Sequence, residues 1–130
     1  MTTIRYFLCL LLLSAWMARP AGAQEPALDR ARMLVETGQV LAQQSRPADA
    51  LLAFQQAMVI LQGLPQTREV AGWRAQAHLG AAFQMEPTQR CKHFESARDY
   101  ASVASSGELI EIARRSLVDQ GCPTGSLGRQ

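Results

Sequence analysis

Beyond Cys9 in the N-terminal apolar run, the histidines and cysteines of this sequence are His78, His93, Cys91 and Cys122, types that commonly do chemistry. Cys91-Lys92-His93 sets a thiol and an imidazole two positions apart. On a helix such residues project to nearly opposite sides, so the two would not share a metal ion without distortion. The two histidines fall on different predicted helices, and no serine or cysteine nucleophile is placed beside either by a motif. The sequence contains no Cys-x-x-Cys pair, no Gly-rich phosphate loop and no His-Glu-x-x-His stretch. Met33, Met58 and Met85 offer soft sulfur for copper. They are spread over three predicted helices, however, and filling irregular gaps in a core is their expected use. Trp73 and Tyr100 are expected to pack. The expectation is a chain with no catalytic centre, no metal and no cofactor.

Before any fold is considered, the N-terminus has to be set aside. Residues 1–5 carry a single positive charge, residues 6–16 are an apolar run, and Ala21-Gly22-Ala23 has the small-x-small form of a signal-peptidase site. This is the pattern of a secretory signal peptide covering residues 1–23, with cleavage expected before Gln24. A membrane anchor needs about 20 apolar residues, whereas here Ser14 interrupts the run and Arg19-Pro20 closes it. Of 13 basic and 11 acidic residues, Arg5 and Arg19 leave with the leader, so the remainder holds 11 of each sign. A neutral chain without a basic run has no electrostatic footprint for nucleic acid. It also lacks the polybasic or amphipathic surface that would hold it to a membrane after cleavage. Cys9 leaves with the leader as well. Cys91 and Cys122 then remain as an even pair in an exported chain, where a disulfide is the default expectation.

The elements that must position these residues read as helices throughout. Apolar residues recur at three- and four-residue steps, and no stretch alternates as a strand would. Five helices are expected in residues 24–123, followed by a frayed tail at 124–130. The first spans about 26–44 and carries Leu28, Leu34, Val35, Leu41 and Ala42 inward. Arg46-Pro47 breaks it and Pro47 opens the second, which ends near Gly63. Thr67 is placed to cap the third, over 68–85, with Val70, Trp73, Ala77, Gly80 and Phe83 on its core face. Glu86-Pro87 breaks the chain again. The fourth helix turns Cys91, Phe94, Ala97, Ala101 and Ala104 inward. Ser105 to Glu108 has the form of a capping box for the fifth, which buries Leu109, Ile112, Ala113, Ser116 and Leu117. Gly38 and Gly80 interrupt helices where close approach of a partner helix is expected, and Gly72 has no such explanation. From the Ser105-Ser106 turn, Cys91 lies about fourteen residues back and Cys122 about sixteen forward. At about 1.5 Å per helical residue the two sulfurs finish level, which pairs them and pins the last helix.

The spacing Pro47, Phe54, Ala57 returns as Pro87, Phe94, Ala97, a period of forty residues that points to stacked hairpins. At these residues the chain resembles the tetratricopeptide repeat family. Gly38, Ala50, Phe54 and Ala57 match its glycine, alanine, aromatic and alanine positions. Leu79-Gly80 with Phe83, then Phe94 and Ala97, is similar to a second, degenerate unit, in which Arg90 takes an alanine position. The resemblance covers residues 28–104 and implies a short right-handed solenoid of two hairpins with the fifth helix as cap. It also implies a protein-binding concave wall built from the first helix of each hairpin. Helical phase would put Arg32, Val35, Gln39 and Ala42 on that wall, with Arg74, Ala77, His78, Ala81 and Gln84. Arg32 and Arg74 would then clamp a peptide carboxylate.

The functional expectation is an exported, periplasmic or secreted, non-enzymatic interaction module binding another envelope protein or peptide. The alternative is a compact disulfide-pinned bundle that sequesters a small ligand or metal, or an accessory subunit of an envelope enzyme. Homodimerisation through the apolar edge of the first helix is the further possibility the pattern allows.

Overall fold

The structure, a computed structural model, describes residues 24–123, so the leader and the tail expected at 124–130 lie outside the described residues. Five helices follow one another: α1 (Gln24–Gln43), α2 (Pro47–Gln62), α3 (Arg68–Gln84), α4 (Pro87–Val103) and α5 (Gly107–Asp119). The described residues contain no strand. Among them, no helix is long and apolar enough to cross a membrane.

Local chemistry explains each boundary. Pro47 and Pro87 stand in the first turns of α2 and α4, where a missing N–H leaves nothing unsatisfied. Thr67 caps α3 by accepting from the Val70 N–H at 3.1 Å. The cap of α5 is Ser106, which accepts from the Leu109 N–H at 3.4 Å, and not Ser105 as the capping-box reading has it. Ser105 instead ends α4, and its left-handed φ of 56° removes it from the capping position. Ser45 and Gly121 end α1 and α5 in the same way, at φ 59° and 64°. After each, the chain closes back on the helix: the N–H groups of Arg46, Ser106 and Cys122 donate to the carbonyls of Leu41, Ala101 and Leu117. These are Schellman closures, which satisfy carbonyls that a helix end leaves open. Gly63 caps α2 in the right-handed region, at φ −80°, so its glycine character is not required there.

Among the described residues each helix packs on its neighbours in sequence, and the only other pairings are α1 with α3 and α3 with α5. The larger core lies among α1, α2 and α3, and its centre is Phe54, which is 1% exposed. A Cβ added at Gly38 would stand 2.8 Å from the Phe54 ring, and one at Gly80 would overlap that ring outright. The ring therefore occupies the space that side chains at Gly38 on α1 and Gly80 on α3 would take. The partner of Gly80 is thus the aromatic of the preceding hairpin, not its own. Ala31, Ala50, Ala57, Ala77 and Ala81 are fully buried in the same core, and their small side chains keep the helix axes close.

The second core joins α3, α4 and α5 around fully buried Phe94, with Leu79, Ala97, Ala113 and Leu117. Two residues expected inside it are not. Phe83 is 49% exposed and Ile112 40%, because α5 leans mainly on α4 and leaves this flank of α3 uncovered. Cys91 and Cys122 form the expected disulfide, with Cα atoms 5.5 Å apart. The bridge ties the start of α4 to the end of α5.

Gly72 is the glycine without a steric role, since a Cβ there would meet Ala104 at an ordinary 3.8 Å. Gly72→Ala is expected to raise stability by about 0.5–1 kcal/mol through helix propensity. Gly38→Ala should instead lower it by about 1–3 kcal/mol by forcing Phe54 from its seat. Urea denaturation of the two variants checks the contrast, and equal effects would contradict the packing described.

Candidate functional site: the groove between α1, α3 and α5

α1 and α5 make no close contact with each other, yet both reach the rim of one depression of about 560 Å³ with α3 at its floor. Gln39 and Gln43 enter it from α1, one helical turn apart. Gln76, Gly80 and Gln84 come from α3 at successive turns, and Phe83 lies beside them. α5 supplies Glu108, Leu109 and Ile112. Gln39 donates to Gln76 at 3.5 Å across the α1–α3 seam. Phe83 meets Phe94 edge-on, with ring centroids 5.2 Å apart, so its inner edge is held while its outer face stays open. Primary amides can donate and accept at once. Among the described residues, Glu108 is the only charged side chain lining the groove.

The residues expected on the concave wall divide between several places. Gln39, Ala42 and Gln84 do line the groove. Val35, Ala77 and Ala81 are fully buried in the first core and form the seam beneath it. Arg32 is outside the groove lining and pairs with Asp29 at 3.4 Å on an exposed turn. Arg74 is occupied elsewhere. Its guanidinium donates to the Leu61 carbonyl at 2.6 Å, to the Leu64 carbonyl at 3.2 Å and to Gln66. It thus closes the end of α2 and its connector, where a positive charge also complements the helix dipole. The arginine clamp expected from helical phase is therefore not assembled. Gln43, Gln76 and the α5 residues were missed. Helical phase from Gln39 and Gln84 predicts the two glutamines, and only the lean of α5 reveals the rest.

His78 is also absent from the groove lining. Its Nδ1 lies 2.9 Å from Nδ1 of His93, across the α3–α4 seam. Its ring stacks on Tyr100 at 5.5 Å between centroids, and the Arg74 guanidinium stands 5.4 Å from the centre of the same Tyr100 ring. In the imidazole pair one nitrogen must donate and the other accept, so the contact holds at most one proton between the rings. Burial, then the His93 charge, then Arg74 lower the His78 pKa from 6.5 to about 4. Burial and then Lys92 lower that of His93 as well. At neutral pH both rings are uncharged and the seam is closed. Among the described residues, no further His, Cys, Asp or Glu joins the pair as a potential metal ligand.

No protein-family model matches the chain, and no curated protein or solved structure matches it.

The histidine pair makes stability depend on pH. His78 binds its proton at about 4 when folded, against 6.5 as the unperturbed value. Stability is therefore unaffected by this group above pH 6.5 and declines as pH falls through the interval to 4, where the unfolded chain alone is protonated. The loss should reach about 2 kcal/mol, after discounting for the part of the ring that solvent reaches. His78→Gln should remove most of that decline while keeping a hydrogen-bonding group beside His93. Urea midpoints measured across this range in both proteins test it, and an unchanged slope in the variant would place the acid sensitivity elsewhere.

Proposed function

We propose that this chain is a non-enzymatic binding module that holds an extended segment of another exported protein in the groove between α1, α3 and α5. The observation that carries the reading is the lining itself: four glutamines, Gln39, Gln43, Gln76 and Gln84, around the half-exposed Phe83 and Ile112. Carboxamides can pair with the N–H and C=O groups of a peptide backbone whatever its side chains. Phe83 and Ile112 offer apolar area at the centre, where a partner residue loses water, and central apolar anchors carry most of the energy in such contacts. Glu108, the one charge lining the groove among the described residues, favours a neutral or basic segment over an acidic one. That selectivity is the reverse of a carboxylate clamp.

A tetratricopeptide-like stack is the architecture proposed for this module. Its support is the seat of Phe54 between Gly38 and Gly80, glycines that the repeat spacing singles out. Export is proposed on the leader-like N-terminus together with the Cys91–Cys122 bridge, a bond that persists in oxidising compartments.

Peptides selected on the purified protein from a random displayed library provide the probe. Their affinity, read by fluorescence anisotropy, should fall about tenfold with Phe83→Ala, the loss of one central anchor at about 1.4 kcal/mol. Ile112→Asp should do the same, and Met33→Lys, on another face, should leave it unchanged. Circular dichroism checks that helicity is retained. Binders indifferent to both groove substitutions would contradict the groove as the binding surface.

A further inference from the structure

We infer that His78 and His93 form a two-coordinate site for copper(I), held in line between their Nδ1 atoms across the α3–α4 seam. The inference is independent of the groove, which neither histidine lines. Sequence spacing hides such a site. His93 cannot share an ion with Cys91 two positions away, and that sulfur is in any case committed to the disulfide. The nitrogen that His93 faces belongs to the other helix.

The two rings meet head-on. Nδ1 stands 2.9 Å from Nδ1, and the ring centroids are 5.1 Å apart, almost the greatest separation that this contact permits between two imidazoles. Each Nδ1 is therefore aimed at the other, along the direction in which its lone pair or its N–H projects. In the neutral pair one ring carries its proton on Nδ1 and the other on Nε2. When the first ring passes that proton through solvent to its own Nε2, both lone pairs face one point, and no net proton is gained or lost. A metal–imidazole bond is about 2 Å long, so an ion in line needs the nitrogens about 1 Å further apart. Both residues are only partly buried, which gives the rings room to part and the ion a way in.

The surroundings select the ion. Two opposed donors suit linear coordination, the geometry of copper(I), whereas zinc calls for a tetrahedron and copper(II) for a square plane. Among the described residues no further His, Cys, Asp or Glu joins the pair to complete either. Positive charge acts on both rings, from Arg74 on His78 and from Lys92 on His93. It opposes a divalent ion about twice as strongly as a monovalent one. Burial first, and these charges after it, also keep both imidazoles unprotonated at neutral pH, so protons do not compete for the lone pairs.

The probe is copper(I) itself, supplied anaerobically under ascorbate to the purified, disulfide-intact protein in competition with the chromogenic chelator ferrozine. One ion per chain should be retained, and copper K-edge absorption should show two nitrogen neighbours in a linear array. His78→Gln and His93→Gln should each weaken binding at least about a hundredfold, since even losing a residue that only orients a metal ligand costs about 10- to 100-fold. Circular dichroism checks that helicity is retained, and the wild-type absorption spectrum decides the matter even where a variant loses it. Met33→Leu and Met85→Leu should leave the affinity unchanged, which separates the site from stray thioether sulfur. Zinc(II) offered in place of copper(I) should bind at least about a hundredfold more weakly. Failure of the wild type to withhold copper from ferrozine would overturn the inference, as would an affinity unchanged in both histidine variants. Three or four neighbours at the copper would overturn the in-line arrangement.

Discussion

The structure depends on one steric fact: the ring of Phe54 lies in the space that side chains at Gly38 and Gly80 would occupy. Protein interiors are packed like organic crystals, so a ring this size fits only where its neighbours leave room. Here two backbones on two different helices leave it. The aromatic on α2 therefore fixes α1 and α3 at one distance and one register, and the alanines around it bring the axes near enough to exclude water. The first hairpin and the first helix of the second become a single packed unit. Everything on the far side, from the seam of Val35, Ala77 and Ala81 to the glutamines above it, takes its position from that unit.

The second half of the chain is held by different means. α5 leans on α4 and barely reaches α3, so it lacks a broad apolar seat. Its end is secured covalently by the Cys91–Cys122 bridge. Arg90 adds a polar tie, donating to the Met85 carbonyl at 2.8 Å and to Gln120 at 3.0 Å, and so joins the α3–α4 turn to the end of α5. Arg74 does the equivalent work at the α2–α3 connector. In both places a guanidinium satisfies carbonyls that a helix end or turn leaves open, and its fixed fork of donors suits the task better than an ammonium would. The groove follows from this division. The tight packing of the first three helices and the tethered lean of the fifth leave a depression between them, with Phe83 and Ile112 only half covered.

Much of this was legible in the sequence. Prolines at Pro47 and Pro87 and the cap at Thr67 mark helix starts through chemistry that acts within a few residues, and such signals survive the loss of all tertiary information. The Cys91–Cys122 pair was legible because two antiparallel helices convert residue counts into heights. Gly38 was legible as a place where a partner helix comes close, but not Phe54 as the side chain that fills it. Other features failed for identifiable reasons. Helical phase says which side a residue faces, but not whether a neighbouring helix covers it, so Phe83 and Ile112 were placed in the core. Long side chains escape phase altogether: Arg74 starts on α3 and ends at the carbonyls of α2. The His78–His93 contact joins residues fifteen apart on facing helices, and only the relative sliding of α3 and α4 decides that the rings meet. Ser105 was read as the cap because Glu108 stands three residues after it, whereas the actual cap, Ser106, has Leu109 at that distance and fits no capping box. The left-handed turn at Ser105 decides between them.

A double-mutant cycle between Phe54 and Gly80 measures the central contact directly. Gly80→Ala, Phe54→Leu and the combined variant are compared by urea denaturation with the wild type. If the ring fills the space above Gly80, the alanine methyl collides with phenylalanine and is accommodated beside the smaller leucine. The combined variant should then be more stable than the sum of the single losses predicts, by at least about 1 kcal/mol. Losses that add to within about 0.5 kcal/mol, as they do for independent sites, would show that Phe54 and Gly80 do not meet and that the two hairpins are joined in some other way.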